Sequence, residues 1–209
     1  MTAAHRAPTG DEGEGDGGAE SYQARLEAFA GRSVGAPAEG PDAVNQAMIR
    51  HWVEAMGDEN PVYTDEASAR AQGFPGVIAP PTMLQAWIMR GYKATAELAA
   101  ARAAGRSSEG AIPADDLMHL LDEGGFTSVV ATNCEQTYDR PVVLGDRLSV
   151  SSSIESVSPE KRTGLGVGHF VTTLLSFTDA DGRPVASMRF RILKFRPGTG
   201  RAPTAEPAP

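Results

Sequence analysis

The chain has 209 residues, 41% of them hydrophobic, and a formal charge of −8. That length allows one domain with tails or two very small domains, and the apolar fraction suffices for one core. The acidic balance argues against nucleic acid or an anionic membrane as partner. No stretch approaches the ~18 unbroken apolar residues of a membrane span, and no signal-type run opens the chain, so a cytoplasmic protein is expected.

Residues 1–20 carry five acids (Asp11, Glu12, Glu14, Asp16, Glu20) and five glycines, a composition expected to stay disordered. Tyr22–Arg32 is a short amphipathic helix with Leu26 and Phe29–Ala30 on its apolar side. After a Pro/Gly bend, Asp42 or Asn45 can cap a helix in which Met48, Trp52, Ala55 and Met56 recur at helical spacing. Gly57 ends it and Pro61 prevents it from resuming. Thr82 to about Ala103 reads as the longest helix. Met83, Leu84, Trp87, Ile88, Tyr92 and Leu98 leave its first half little polar surface, so that half is expected to be buried. Gly91 inside it costs ~1 kcal/mol of helix propensity. A polar loop (Gly105–Pro113) and a short helix around Asp115–Asp122 follow.

From Phe126 the period changes. Phe126–Tyr138, Arg147–Val157, His169–Asp179 and Val185–Arg196 read as strands, with Asp181-Gly182 a hairpin turn. Helices followed by four long strands predict an α+β domain over about residues 21–196, an antiparallel sheet wrapped around one apolar helix. Residues 197–209 read as a Pro/Ala tail or linker.

The chemistry concentrates in Gly57-Asp-Glu-Asn-Pro-Val-Tyr-Thr-Asp65 and Gly73-Phe-Pro-Gly-Val-Ile-Ala-Pro-Pro81. These runs resemble the signature of MaoC-type hot-dog hydratases. Active members read Gly-Asp-x-Asn-Pro-Leu-His-x-Asp and then Ile-Ala-His-Gly. The resemblance implies hydration of a 2-enoyl thioester. The Asp and His share the water and proton work, and the N–H of the second Gly holds the thioester oxygen. Here Asp58 is kept, but Tyr63 stands at the His position, and a phenol of pKa ~10 is barely ionised at neutral pH. Pro80-Pro81 stand at His-Gly, and proline has no N–H to donate. No intact catalytic set is therefore expected in this chain. Asp58 reads either as a relic that caps its loop or as part of a site shared with a partner.

The run Val44–Val53, the segment Gly125–Tyr138 with its Val-Ala-Thr-Asn-Cys-Glu-Gln stretch, and Ile192–Phe195 extend the likeness. They resemble the N-terminal domain of the larger, non-catalytic subunit of the actinobacterial steroid side-chain enoyl-CoA hydratases. That resemblance implies a smaller catalytic hot-dog partner in an α2β2 assembly, a bulky steroid-like acyl-CoA as substrate, and no cofactor beyond the coenzyme A of the substrate. In that family the larger subunit usually continues into a zinc-ribbon/OB domain that holds a thiolase. Here that domain is expected to be a separate protein or to have been cut away. Two other readings stay open: the silent subunit of a 3-hydroxyacyl-carrier-protein dehydratase, and a non-enzymatic thioester-binding scaffold.

Substrate contacts are expected from Asn60, Met83, Trp87, Lys194 and Arg196. The last two belong to a basic run over 183–201 (Arg183, Arg189, Arg191, Lys194, Arg196, Arg201) that either receives coenzyme A phosphates or is an ordinary solvated strand face. Cys134 is expected to be buried and inert in a central strand. His51, His119 and His169 read as structural, with no metal spacing. Gly164-Leu-Gly-Val-Gly168 reads as a flexible connection and not a phosphate loop.

Overall fold

Asn45 decides where the second helix begins. Its side-chain oxygen accepts from Met48 N–H at 3.0 Å, and the helix α2 (Gln46–Met56) runs until Gly57 adopts φ +63°, a left-handed stop suited to glycine. The computed structural model describes residues 21–104 and 113–200. The expectations for residues 1–20, for 105–112, for the Leu98 side chain and for everything beyond residue 200, including Arg201, lie outside the described residues.

The first helix, α1 (Tyr22–Glu27), is followed by the two-residue strand β1 (Ala38–Glu39), α2 and a 3₁₀ turn (Pro61–Tyr63). Next come α3 (Glu66–Ala71), a 3₁₀ segment (Pro81–Ile88), α4 (Tyr92–Ala103) and α5 (Pro113–Glu123). The strands β2 (Ser128–Tyr138), β3 (Ser149–Val157), β4 (Lys161–Arg162), β5 (Val167–Thr178) and β6 (Pro184–Phe195) complete the chain. All strand pairs are antiparallel, in the order β1-β3-β5-β6-β2, with β4 on β5. This is an α+β hot-dog arrangement, and all four long strands fall where the sequence places them.

Two clusters of buried side chains fill the two ends of the sheet. Ile49, Val53, Met83, Leu84 and Trp87 pack on Leu148, Phe177 and Met188, while Leu26 and Phe29 join Leu117, Leu121, Phe126, Ile154 and Val171. A small third cluster, Val62, Ala69 and Ile78, lies under the signature loop.

The structure corrects several expectations. The single long helix does not exist: eight residues form the tight 3₁₀ segment, the chain is extended at Met89, and α4 starts anew at Tyr92. Pro80 and Pro81 remove donors at the start, and Gly91, the poorest helix former after proline, sits in the break. Met83, Leu84 and Trp87 are buried as expected, but Tyr92 is 90% exposed. In α2 the buried residues are Ile49 and Val53. Met48 and Trp52 flank them, while Ala55 and Met56 face outward, a phase shift of one residue. Cys134 is exposed, because β2 pairs with β6 alone and forms an edge of the sheet instead of its centre. Edge or centre depends on long-range pairing, which the strand's own residues do not encode. Gly164–Gly168 leads through a turn into β5, closed by Thr163 N–H to the Gly166 carbonyl at 2.9 Å.

Gly40 is needed for packing. A Cβ there would stand 2.3 Å from the Trp87 carbonyl oxygen, so its absence lets the 3₁₀ segment lie against the sheet edge. Among the described residues, no helix is long and apolar enough to cross a membrane.

Candidate functional site

The signature loop begins where Gly57 ends α2. Asp58 N–H donates to the Val53 carbonyl at 2.9 Å, and Asp58 Oδ1 accepts from Asn60 N–H at 3.1 Å. Asn60 Oδ1 in turn accepts from Val62 N–H at 3.3 Å and caps the 3₁₀ turn, whose Pro61 supplies a preset φ. Asp58 is exposed, and its carboxylate holds its own loop through the Asn60 N–H.

The turn delivers Tyr63 into the wall of a cavity of about 430 Å³. Val62, Phe74, Ile78, Ala79, Pro81, Pro141 and Val142 give it an apolar lining; Asn60, Tyr63, Gln72, Tyr138, Asp139 and Arg140 supply the polar atoms. Backbone hydrogen bonds hold its two sides together: Ile78 N–H to the Val62 carbonyl at 3.3 Å and Ala79 N–H to the Val142 carbonyl at 2.8 Å. The Tyr138 hydroxyl, at the end of β2, donates to the Pro81 carbonyl.

Its polar groups are poorly suited to proton transfer at neutral pH. Burial pushes the Tyr63 phenol above its usual 10.0; the Asp58 carboxylate adds to this, and a side-chain hydrogen bond with Asn60 partly offsets it. Burial, reinforced by Cys134, pushes Tyr138 up to about 12. Arg140 is held charged, first by its hydrogen bond to Asp146. It contacts Asp146 through both terminal nitrogens, at 2.7 and 3.1 Å, and Asp179 at 3.3 Å. Those bonds fix the rim and leave the guanidinium committed. Asp139 is exposed at that rim.

Among the described residues, no histidine lines the cavity. His51 is exposed on α2 with Glu54 at 4.0 Å, and His119 lies on α5. His169 is buried with Nδ1 on the Ser158 carbonyl at 2.9 Å and its ring edge on Phe126. Among the described residues, no group of three or more His, Cys, Asp or Glu is placed to hold a metal.

Of the site residues expected from sequence, Asn60, Tyr63 and Pro81 come together here. Met83 and Trp87 do not line the cavity: both are core residues, 1% and 3% exposed. Lys194 is nearly buried in an ion pair with Asp122 at 2.5 Å. Arg196 lies 4.1 Å over the Phe126 ring and bonds Glu160 and the Gly124 carbonyl. Neither lines the cavity, and Arg183 and Arg189 are likewise paired, with Asp179 and Glu155. The described part of the basic run is thus mostly engaged with the protein's own carboxylates. Sequence reading missed Tyr138, Gln72, Phe74 and the Asp139–Val142 wall. Gln72 and Phe74 follow the loop directly through α3, whereas only tertiary contacts bring the 138–142 wall to it, and Tyr138 gave no local signal beyond ending a strand.

Residues 28–188 match the family model described as FAS1-like, dehydratase domain region. The probable enoyl-CoA hydratase alpha subunit of Thermomonospora curvata is 52% identical over 178 residues, covering 85% of this chain and 53% of that protein. The 3-oxo-4,17-pregnadiene-20-carboxyl-CoA hydratase alpha subunit of Mycobacterium tuberculosis is 43% identical over 160 residues, covering 75% and 46%. The chain thus spans about half the length of these two curated relatives. Among solved structures, a chain of the ChsH1-ChsH2 complex from Mycobacterium tuberculosis matches with TM-score 0.69 and 40% identity, covering 85% of this chain and 95% of that one. The loop, the sheet and these likenesses agree, and the chain belongs to the FAS1-like dehydratase family of MaoC-like hot-dog domains.

Proposed function

We propose that this chain is the non-catalytic, substrate-accommodating subunit of a heteromeric enoyl-CoA hydratase acting on a bulky, steroid-like acyl-CoA. The observation that carries the reading is the cavity on the family's catalytic loop: it has Tyr63 in place of an imidazole and Pro81 in place of an amide donor. Hydration of a 2-enoyl-CoA places hydroxide on C3 and a proton on C2. It needs a base for the water, an acid for the α-carbon and donors for the enolate oxygen. The partner subunit supplies these three, and this chain supplies apolar walls.

Two features support a hot-dog partner. The edge strand β2 is eleven residues long, pairs on one side only and exposes most of its residues, Val129 at 58%, an edge open to further pairing. A similar chain was solved as part of the ChsH1-ChsH2 complex. An α2β2 assembly is the expected stoichiometry. The steroid-like substrate is supported by the named substrate of one relative, which joins a 3-oxo group to a 20-carboxyl-CoA thioester.

Co-expression with a small MaoC-like subunit bearing an intact Asp/His loop tests this. The two chains are expected to co-elute on size exclusion and to hydrate a bulky enoyl-CoA faster than the matching carrier-protein thioester. A stable homodimer that ignores the partner would support a scaffold instead. Preference for the carrier-protein thioester would support a dehydratase subunit.

A further inference from the structure

Tyr63 is a half-buried phenol wedged between two apolar clusters, and it lines the cavity. Its backbone carbonyl is already used, accepting from Gln46 Nε2 at 3.2 Å. Its hydroxyl oxygen is engaged by the Asn60 side chain, and among the described residues no hydrogen bond carries its proton to an acceptor. The neighbouring phenol differs, since Tyr138 spends its proton on the Pro81 carbonyl. Asn60 and Gln72 are exposed, and Asn60 has its amide oxygen on Val62 N–H. Arg140 has both terminal nitrogens committed to Asp146, Asp179 and the Pro141 carbonyl.

The cavity therefore offers an apolar surface, no uncommitted cation and, on a half-buried phenol in its wall, one hydroxyl proton without an acceptor. An anion would enter with nothing to pair it. A purely apolar group would leave the hydroxyl without an acceptor once water is expelled. The volume, about 430 Å³, lies within the range of pockets that enclose small organic ligands, about 300–1,000 Å³. We propose that the Tyr63 hydroxyl is the specificity-determining donor by which this cavity selects a neutral, largely apolar group bearing a single carbonyl, the ring-ketone end of the acyl chain and not its coenzyme A. The phenol stays protonated across the physiological range because burial raises its pKa, so the donor is always loaded. A histidine here would titrate near neutrality and would lose this constancy. On this view the substitution that removes the base also installs a recognition group.

The inference rests on the substrate-accommodating reading above, and its test separates the two. The full chain, alone and reconstituted with its catalytic partner, is titrated calorimetrically with androst-4-en-3-one and with androst-4-ene, which lacks the ring carbonyl. The wild-type chain is expected to bind the ketone about 3–10-fold more tightly, the range of one neutral hydrogen bond. Tyr63→Phe is expected to bring the two probes to equal affinity, with a folded state verified by its melting transition. Because the wild-type preference needs no variant, a misfolded Tyr63→Phe chain leaves the test decisive. Equal binding of the two probes by wild type, a preference that survives Tyr63→Phe, or binding of neither probe overturns the proposal. If the reconstituted complex hydrates a bulky enoyl-CoA yet shows no ketone preference, the role of Tyr63 is refuted and the subunit assignment stands. If no partner restores hydration, the assignment itself fails whatever the probes do.

Discussion

At position 63 the difference between phenol and imidazole is a difference in when the group ionises. Tyr63 is pushed above an already high pKa by burial, so it can donate a hydrogen bond but cannot take a proton from water at neutral pH. On the proposed reading Pro81 removes a second part, since no N–H exists there to hold an enolate oxygen. Each part contributes about 10²–10⁴-fold in active enzymes, so repairing one leaves the other limiting. Tyr63→His alone is therefore expected to stay at least about 10²-fold slower than Tyr63→His with Pro81→Gly, measured as loss of enoyl-thioester absorbance. A single variant as fast as the double would refute the two-defect account. Tyr138 acts differently: its hydroxyl ties β2 to the Pro81 carbonyl. Tyr138→Phe is expected to lower unfolding free energy by about 1 kcal/mol in urea titrations, the net worth of one hydrogen bond.

The elements around the cavity are fixed by a few close approaches. Gly40 lies under the Trp87 carbonyl, where a methyl group would meet it at 2.3 Å. Gly40→Ala is expected to cost about 1–3 kcal/mol by displacing the 3₁₀ segment, read as a lower denaturant midpoint. The β5–β6 hairpin supplies a pH-dependent tie. Burial alone would raise the Asp179 carboxyl, but hydrogen bonds from the Arg183 and Asp181 N–H groups and the Arg183 and Arg140 side chains hold it at about 2, against 3.8 ordinarily. A depressed carboxyl stabilises the fold above its unfolded value, and that contribution disappears as pH falls toward about 2. Thermal melts are expected to show the wild type losing stability more steeply than Asp179→Asn between about pH 4 and 2. Identical slopes would show that the tie contributes nothing. Some of this was readable beforehand. Alternating residues in 148–154 and 171–177 marked the strands, Asn45 and Gly57 bounded α2, and Asp181-Gly182 marked the hairpin. The break at Met89–Gly91 was signalled only by Gly91, and the helix-spaced apolar residues on either side outweighed that signal. The wall from Tyr138 to Val142 was hidden too, since only long-range bonds such as Ala79 N–H to the Val142 carbonyl and Tyr138 to Pro81 bring it to a loop some seventy-five residues away.

For the whole molecule, the described residues of an acidic hot-dog domain leave one long strand edge unpaired, and no imidazole among them lines the cavity beside the signature loop. Both features suit a subunit completed by another chain. Tyr63, Pro81 and their surroundings carry the claim that this chain contributes no proton transfer of its own. The most direct test is hydration of a bulky enoyl-CoA by a reconstituted complex in which the partner's loop imidazole alone has been replaced by alanine. The account predicts that turnover falls by about 10²-fold or more, since no second base remains. Retention of about half the wild-type rate would mean that this chain runs a site of its own, and would contradict the account.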